Sequence, residues 1–337
     1  MKINRVHEKK TEKQVSMLGE VPVKLFGRTY FSGNELVLYN VGTGLEFCFD
    51  GESVSAEITA SADCYFTVFL DDARDGNFIK AYQGTQIYLL AKLAGQGTHI
   101  IRIVKSSEIN VATLKIKQIT GAKHYFAAPV KSKYFLEFIG DSITAGYGAR
   151  TIGGEWSVDN SDVCRSFSYL TAWRLKADYS IIAREGICVN VDYFGCGYHM
   201  TELYSYNSWE TKDRYDFFDQ PNAVILGLGT NDAFYLAEHP EYENNFVRDY
   251  RELLVYIRGK RPAAKIVCVY GMMEKDVKIE MGIECAINKI GDGNISYFSD
   301  FTPNSDGGHG HPSSKAHEKN AEILSKYLSR ILEIGAK

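Results

Sequence analysis

The chain has 337 residues, 45% hydrophobic and 24% charged, with a formal net charge of −4 and a pI near 6.1. Such a length suits two domains, each able to bury a core, and the composition excludes disorder outside the termini. The charge balance offers no basic field for nucleic acid or anionic lipid, so the expected partner is small and neutral or weakly charged.

The opening residues Met1 to Lys10 are polar and lack the apolar centre of a signal peptide. No later apolar run approaches the roughly 18 residues of a membrane span. Cys48, Cys64, Cys164, Cys188, Cys196, Cys268 and Cys285 are scattered and contain no Cys-x-x-Cys pair. Scattered thiols in a chain of this size predict a reducing compartment, hence a cytoplasmic protein.

From Arg28 to Thr120 short runs rich in Val, Ile, Phe, Tyr and Thr alternate with Gly, Asp and Asn. Leu36 to Val41, Leu45 to Phe49, Val54 to Thr59, Tyr65 to Leu70, Gln86 to Leu93, His99 to Val104 and Ala112 to Ile119 read as strands. About eight strands at this spacing predict an antiparallel β-sandwich of jelly-roll type over residues 1–125. Asp71, Asp72 and Asp75 fall in turn contexts, where Asp bends and caps chain. Tyr30, Phe31, Tyr65, Phe66 and Tyr82 are either core or a sugar-binding face. The domain is expected to be accessory, supporting substrate binding.

The strand pattern fades after Gly121, and residues 126–133, with Pro129, Lys131 and Lys133, read as a linker. Beyond it, over 134–337, apolar runs alternate with longer amphipathic segments. Tyr134 to Ile139, Ser180 to Ala183, Ala223 to Leu228, Lys265 to Tyr270 and Asn294 to Phe298 are strands. Arg165 to Lys176, Tyr242 to Gly259, Lys275 to Lys289 and Ser313 to Glu333 are helices, the last with Leu324, Tyr327, Leu328 and Ile331 on one stripe. Strand-helix repetition predicts an α/β domain, a parallel sheet flanked by helices.

The apolar run Phe135 to Ile139 stops at Gly140, and Ser142 follows among small and polar neighbours. A strand that ends this way presents the serine at the carboxyl edge of the sheet, where open α/β folds bind ligands. Arg184-Glu185-Gly186 follows the second strand, Gly227-Leu228-Gly229-Thr230-Asn231-Asp232 the third, and Asp306 to Pro312 precedes the last helix. A serine hydroxyl needs an imidazole to remove its proton, which His311 supplies. A tetrahedral intermediate needs donors, which the N–H groups of Ser142 and Gly186 and the Asn231 amide supply. Asp141 and Asp232 are expected to hold loop N–H groups, His199 and His317 to be surface or internally satisfied histidines, and Cys188 and Cys196 to be packing thiols. His309-Gly310-His311 has the flavour of a metal site but no cluster to pair with, so no metal is expected.

In order and context, Gly140-Asp141-Ser142, Gly186, Gly229-Thr230-Asn231-Asp232 and His311-Pro312 resemble the four blocks of the SGNH (GDSL) hydrolases. Gly27-Arg28-Thr29-Tyr30-Phe31 and the jelly-roll pattern sharpen the resemblance to carbohydrate esterase family 2, two-domain acetyl esterases of plant polysaccharides, over about Gly27 to Leu332. The resemblance implies an SGNH-hydrolase fold, Ser142 as nucleophile, His311 as base, an oxyanion hole of Ser142, Gly186 and Asn231, an O-acetylated sugar as substrate, and no cofactor.

Two departures stand out. Family members often carry Asp-Trp immediately before the histidine, where this chain has His309-Gly310; the wider SGNH pattern has Asp three residues before it, where this chain has Gly308. The group orienting His311 is then either Asp306 or a loop carbonyl, that of Gly308, since the role requires only an acceptor for the Nδ1 proton. Trp209, Tyr198 or Trp156 would replace the missing tryptophan as a sugar platform. The expected activity is removal of acetyl groups from mannan- or xylan-derived oligosaccharides through an acetyl-serine. A lipid or thioester acylhydrolase is the alternative within the superfamily, and an inactive carbohydrate-binding protein the alternative outside it.

Overall fold

The computed structural model describes residues 16–335 except Asp72 and Gln96; the polar opening segment 1–10 and the turn residue Asp72 lie outside the described residues. Alternation builds the first domain. Along Ser53–Ala60 every second residue, Val54, Ala56, Ile58 and Ala60, is buried. Two antiparallel sheets result. One runs in the order Ser16–Leu18, Val21–Phe26, Gly44–Asp50, Thr98–Lys105, Cys64–Leu70, Asn77–Ala81, and the other Tyr30–Ser32, Glu35–Leu38, Leu114–Thr120, Ser53–Ala60, Gly84–Lys92. Phe47, Phe66 and Ile103 of the first meet Leu38, Ile58 and Leu114 of the second in one apolar core, the sandwich expected. Strands before Arg28 and at Asn77–Ala81 were not legible as runs. The latter pairs with Cys64–Leu70, and Phe78 stacks on Tyr65 at 4.2 Å.

The second domain contains strands β1 (Phe135–Gly140), β2 (Asp178–Ala183), β3 (Ala223–Gly227), β4 (Lys265–Val269) and β5 (Ile295–Phe298), all parallel, in the order β2-β1-β3-β4-β5. Its helices are α1 (Ser142–Ala145), α2 (Phe167–Arg174), α3 (Met200–Leu203), α4 (Thr230–Glu238), α5 (Glu243–Lys260), α6 (Val277–Ile290) and α7 (Ser314–Ile331). Leu136 and Phe138 of β1 pack with Phe167 of α2 and Leu324 of α7. Ile139, on the opposite face, packs with Leu253 of α5 and Ile283 of α6. Both faces of the sheet are therefore covered, which is why its strands read as continuous apolar runs. None of the described helices is long and apolar enough to cross a membrane.

The jelly roll covers the edge strand β2. The Gly27 N–H donates to Tyr179 O at 3.1 Å, and Phe26 stacks on Tyr179 with centroids 5.3 Å apart. Beneath this contact Glu137 of β1 is fully buried between two arginines. Arg28 of the first domain reaches Glu137 Oε1 at 3.2 Å, Arg261 at the end of α5 reaches Oε1 at 2.6 Å and Oε2 at 2.8 Å, and Tyr204 donates to Oε2 at 2.7 Å. Burial alone would raise the Glu137 pKa. The Arg261 hydrogen bonds and the two guanidinium charges more than offset it and hold the carboxyl below its usual range.

Candidate active site

Three adjacent strand ends set the site. Gly140 of β1 lies opposite Ala183 of β2 and Gly227 of β3, so Ser142, Gly186 and Asn231 leave the sheet at one level, two, three and four residues beyond. At Gly140 a Cβ would lie 2.0 Å from Thr144 Oγ1 and 2.8 Å from Gly227 O, so only glycine lets the chain turn here. Asp141 caps α1, its Oδ1 accepting the Ile143 N–H at 2.9 Å. Ser142 is the first residue of that helix, so its N–H has no intrahelical acceptor. Gly186 turns at φ +67, and its N–H has no acceptor among the described residues.

The loop carrying His311 is docked onto the segment that follows Ser142. Gly308 N–H donates to Gly148 O at 2.9 Å, His309 N–H to Gly154 O at 2.7 Å, Gly153 N–H to Asp306 O at 2.8 Å and Ser314 N–H to Ala149 O at 2.8 Å. These bonds bring together side chains 169 residues apart, with His311 Nε2 2.9 Å from Ser142 Oγ. On its other side His311 Nδ1 lies 3.0 Å from the His309 carbonyl. A carbonyl only accepts, so Nδ1 carries the proton; Nε2 is then the bare nitrogen and accepts the Ser142 hydroxyl. Burial disfavours the imidazolium and, although the His309 carbonyl opposes it, lowers the His311 pKa to about 4.

The orienting group is a loop carbonyl, as one of the two sequence alternatives had it, but it belongs to His309 and not to Gly308. Asp306 is exposed and turned toward Ser313, which with Asn304 keeps its carboxylate low. The Gly308 carbonyl is occupied by the backbone N–H of His311 at 3.1 Å. His309, at φ 51 and ψ 39, adopts the left-handed conformation that turns its own carbonyl back to the ring. No feature of the sequence marks a non-glycine residue for that conformation.

Asn231 lies in the first turn of α4, a helix the sequence had shown only as a turn because Leu236 is its one buried apolar side chain. Its Nδ2 donates to Ile187 O at 2.9 Å, which ties it to the Gly186 loop and leaves the second amide hydrogen free. Asp232 accepts the Val189 N–H at 3.2 Å, and burial raises Asp232 and Asp141 to about 7 each. His317 is buried, its Nδ1 accepting the first N–H of α2 from Phe167 at 3.0 Å, and His199 pairs with Glu202. Burial pushes the Cys188 and Cys196 thiols up.

Of the proposed platforms, Tyr198 is only 8% exposed, its ring between Trp209 and the Arg184 guanidinium; it is core, because the segment folds inward against Tyr39 and Tyr204. Trp209 is covered by Tyr198, Tyr206 and Lys212. Trp156 stands nearer the chemistry, stacked at 5.6 Å on Tyr147, which lies 4.3 Å from the His311 ring and meets His309 Nδ1 at 3.2 Å through its hydroxyl. Tyr147 escaped sequence reasoning, though its place five residues after Ser142 between two glycines was a usable signal. Phe194 escaped it too. It is 52% exposed, beside Gly186, and edge-on to Phe234, itself 40% exposed on the face of α4 that follows Asn231.

Residues 138–319 match the family model described as GDSL-like Lipase/Acylhydrolase, and residues 25–129 match Carbohydrate esterase 2 N-terminal. Cellulase/esterase CelE of Acetivibrio thermocellus is 28% identical over 306 residues, 86% of this chain and 37% of that protein. Acetylxylan esterase / glucomannan deacetylase of Cellvibrio japonicus is 27% identical over 227 residues, 62% of each. The chain thus spans less than two thirds of the length of either relative. A family two carbohydrate esterase from Clostridium thermocellum, solved with cellohexaose, superposes with a TM-score of 0.82 at 25% identity, covering 92% of this chain and 99% of that one.

Proposed function

Because the chain belongs to the GDSL-like lipase/acylhydrolase family and carries the N-terminal domain of carbohydrate esterase family 2, we propose that it is a serine esterase removing acetyl groups from mannan- or xylan-derived oligosaccharides. The observation that carries this reading is the contact of His311 Nε2 with Ser142 Oγ at 2.9 Å, with Nδ1 anchored on a carbonyl. In the reaction Ser142 Oγ attacks the acetyl carbonyl while Nε2 takes its proton. The carbonyl oxygen becomes an oxyanion, met by the N–H groups of Ser142 and Gly186 and the Asn231 amide, each fixed before charge develops. Collapse expels the sugar hydroxyl, which takes the proton from Nε2 and leaves acetyl-Ser142. Water, deprotonated by the same nitrogen, attacks the acyl carbon, and acetate leaves as Oγ recovers its proton.

The named activities of the two relatives and the cello-oligosaccharide held by the structural neighbour support a saccharide as the acyl carrier. The test is acetate release from acetylated manno- and xylo-oligosaccharides followed by NMR. We expect Ser142→Ala to abolish it, and wild-type acetate release by that variant would sink the reading. A chain-length series of 4-nitrophenyl esters separates deacetylation, which favours acetate sharply, from a lipid or thioester hydrolase, which accepts longer acyl groups.

A further inference from the structure

The Arg184-Glu185-Gly186 segment is held from both domains. Its N-terminal end hangs on β1, the Arg184 N–H donating to Gly140 O at 3.3 Å. The Arg184 guanidinium donates to Glu185 O at 2.7 Å. That carbonyl shares a peptide plane with the Gly186 N–H. In a trans peptide the two point in opposite directions, so fixing one aims the other.

Cys196 Sγ also lies 3.6 Å from Glu185 O, and further contacts come from the jelly roll, from the turn after the strand Thr98–Lys105. Glu108 is 1% exposed, and its Oε2 accepts the Glu185 N–H at 3.2 Å. Asn110, two residues on, donates from Nδ2 to Glu185 Oε1 at 2.5 Å. The buried Lys105 ammonium donates to the carbonyls of Ser107 at 2.7 Å and Glu108 at 2.9 Å, which closes the turn that aims the Glu108 side chain. Glu108 Oε1 has no partner among the described residues. A carboxyl buried with one oxygen unsatisfied costs stability relative to an apolar side chain of similar size, so packing alone does not account for it.

We propose that Glu108 and Asn110 of the jelly-roll domain are positioning residues for the Gly186 oxyanion donor, acting through Glu185, whose main chain and side chain they hold in place. The N-terminal domain is then part of the catalytic apparatus, not an appended module. This rests on the reading of Ser142 as nucleophile.

The experiment compares Glu108→Ala, Glu108→Gln, Asn110→Ala and Ser142→Ala in the full chain. It measures kcat and KM on 4-nitrophenyl acetate, thermal unfolding, and affinity for methylboronic acid, which forms a tetrahedral adduct on a serine and draws on the same donors. Glu108→Ala should lower kcat about tenfold to hundredfold, short of the loss of a whole donor, with KM changed less than about threefold and boronate affinity falling in step with kcat. Glu108→Gln retains an acceptor oxygen and should stay within about threefold of wild type. Asn110→Ala, at an exposed site, should lower kcat about threefold to tenfold without loss of folding.

The proposal is overturned if a folded Glu108→Ala keeps wild-type kcat and boronate affinity, or if Glu108→Gln is as impaired as Glu108→Ala. If Glu108→Ala does not fold, Asn110→Ala decides, and wild-type kcat and boronate affinity there overturn it. Wild-type turnover by Ser142→Ala would instead bring down the esterase reading, and the proposal with it.

Discussion

Among the described residues no carboxylate stands behind His311, the proposed base. A carboxylate would fix the ring and also stabilise its charged form, whereas the His309 carbonyl 3.0 Å away does the first and little of the second. Burial, which the carbonyl only partly opposes, then keeps the imidazole neutral, its pKa pushed down to about 4. The base acts only when unprotonated, so kcat/KM rises with pH through that value and is flat above it. A profile on 4-nitrophenyl acetate from pH 3 to 8 should place the acid limb near pH 4; a midpoint close to the ordinary histidine value of about 6.5 would contradict the buried geometry. Restoring the superfamily's acid at 308 should not help. A Cβ on Gly308 would sit 2.9 Å from Thr151 Cγ2 and 3.2 Å from Gly148 Cα, so Gly308→Asp is expected to lower both melting temperature and kcat, read by calorimetry and steady-state kinetics.

At the scale of elements, the site is a consequence of register. Gly140, Ala183 and Gly227 lie side by side, and each is followed by a short turn into a loop or helix, so three chemically unlike groups converge with no sequence proximity. Helix α6 supports this arrangement from behind. Its Ile279 lies where a Cβ on Gly229 would come within 2.7 Å, so α6 backs the turn leading to Asn231. Asp276 caps α6, accepting from Lys278 N–H at 2.7 Å and Ile279 N–H at 3.3 Å. Asp276→Ala should cost about 1 kcal/mol in urea unfolding and, because Ile279 lies in the turn that this cap holds, lower kcat modestly as well.

At the scale of the molecule the two domains share a buried charge cluster. Arg28 brings a guanidinium from the jelly roll to Glu137 in the central sheet, where Arg261 already stands. Removing one member of such a cluster leaves the others imperfectly paired, so Arg28→Ala should lower unfolding free energy by about 3 to 5 kcal/mol. Hydrogen exchange should show the faster opening concentrated along β2 and the strand Val21–Phe26. The folded pKa of Glu137 lies below its unfolded value, so its contribution is present at neutral pH and is lost as pH falls through the folded value. The Arg28→Ala penalty should accordingly shrink in acid; a penalty independent of pH would argue that packing, not charge, is lost.

Alternation in Val54, Ala56 and Ile58, the stripe of Leu324 and Leu328, and glycines beside Ser142 and Asn231 made the sandwich, the parallel sheet and the place of the candidate site legible in sequence, because each is a local pattern imposed by a local geometry. Three things were not local. The carbonyl that orients His311 is turned to the ring by the docking of residues 308 and 309 on Gly148 and Gly154, and the inward turn of Tyr198 depends on packing against Tyr39 from the other domain. The hold of Glu108 and Asn110 on the loop before Gly186 depends on how two domains dock. Sequence fixes which groups are present and which way each element faces. Only the packed chain determines which acceptor a ring nitrogen meets, because that choice is made by contacts between segments more than a hundred residues apart.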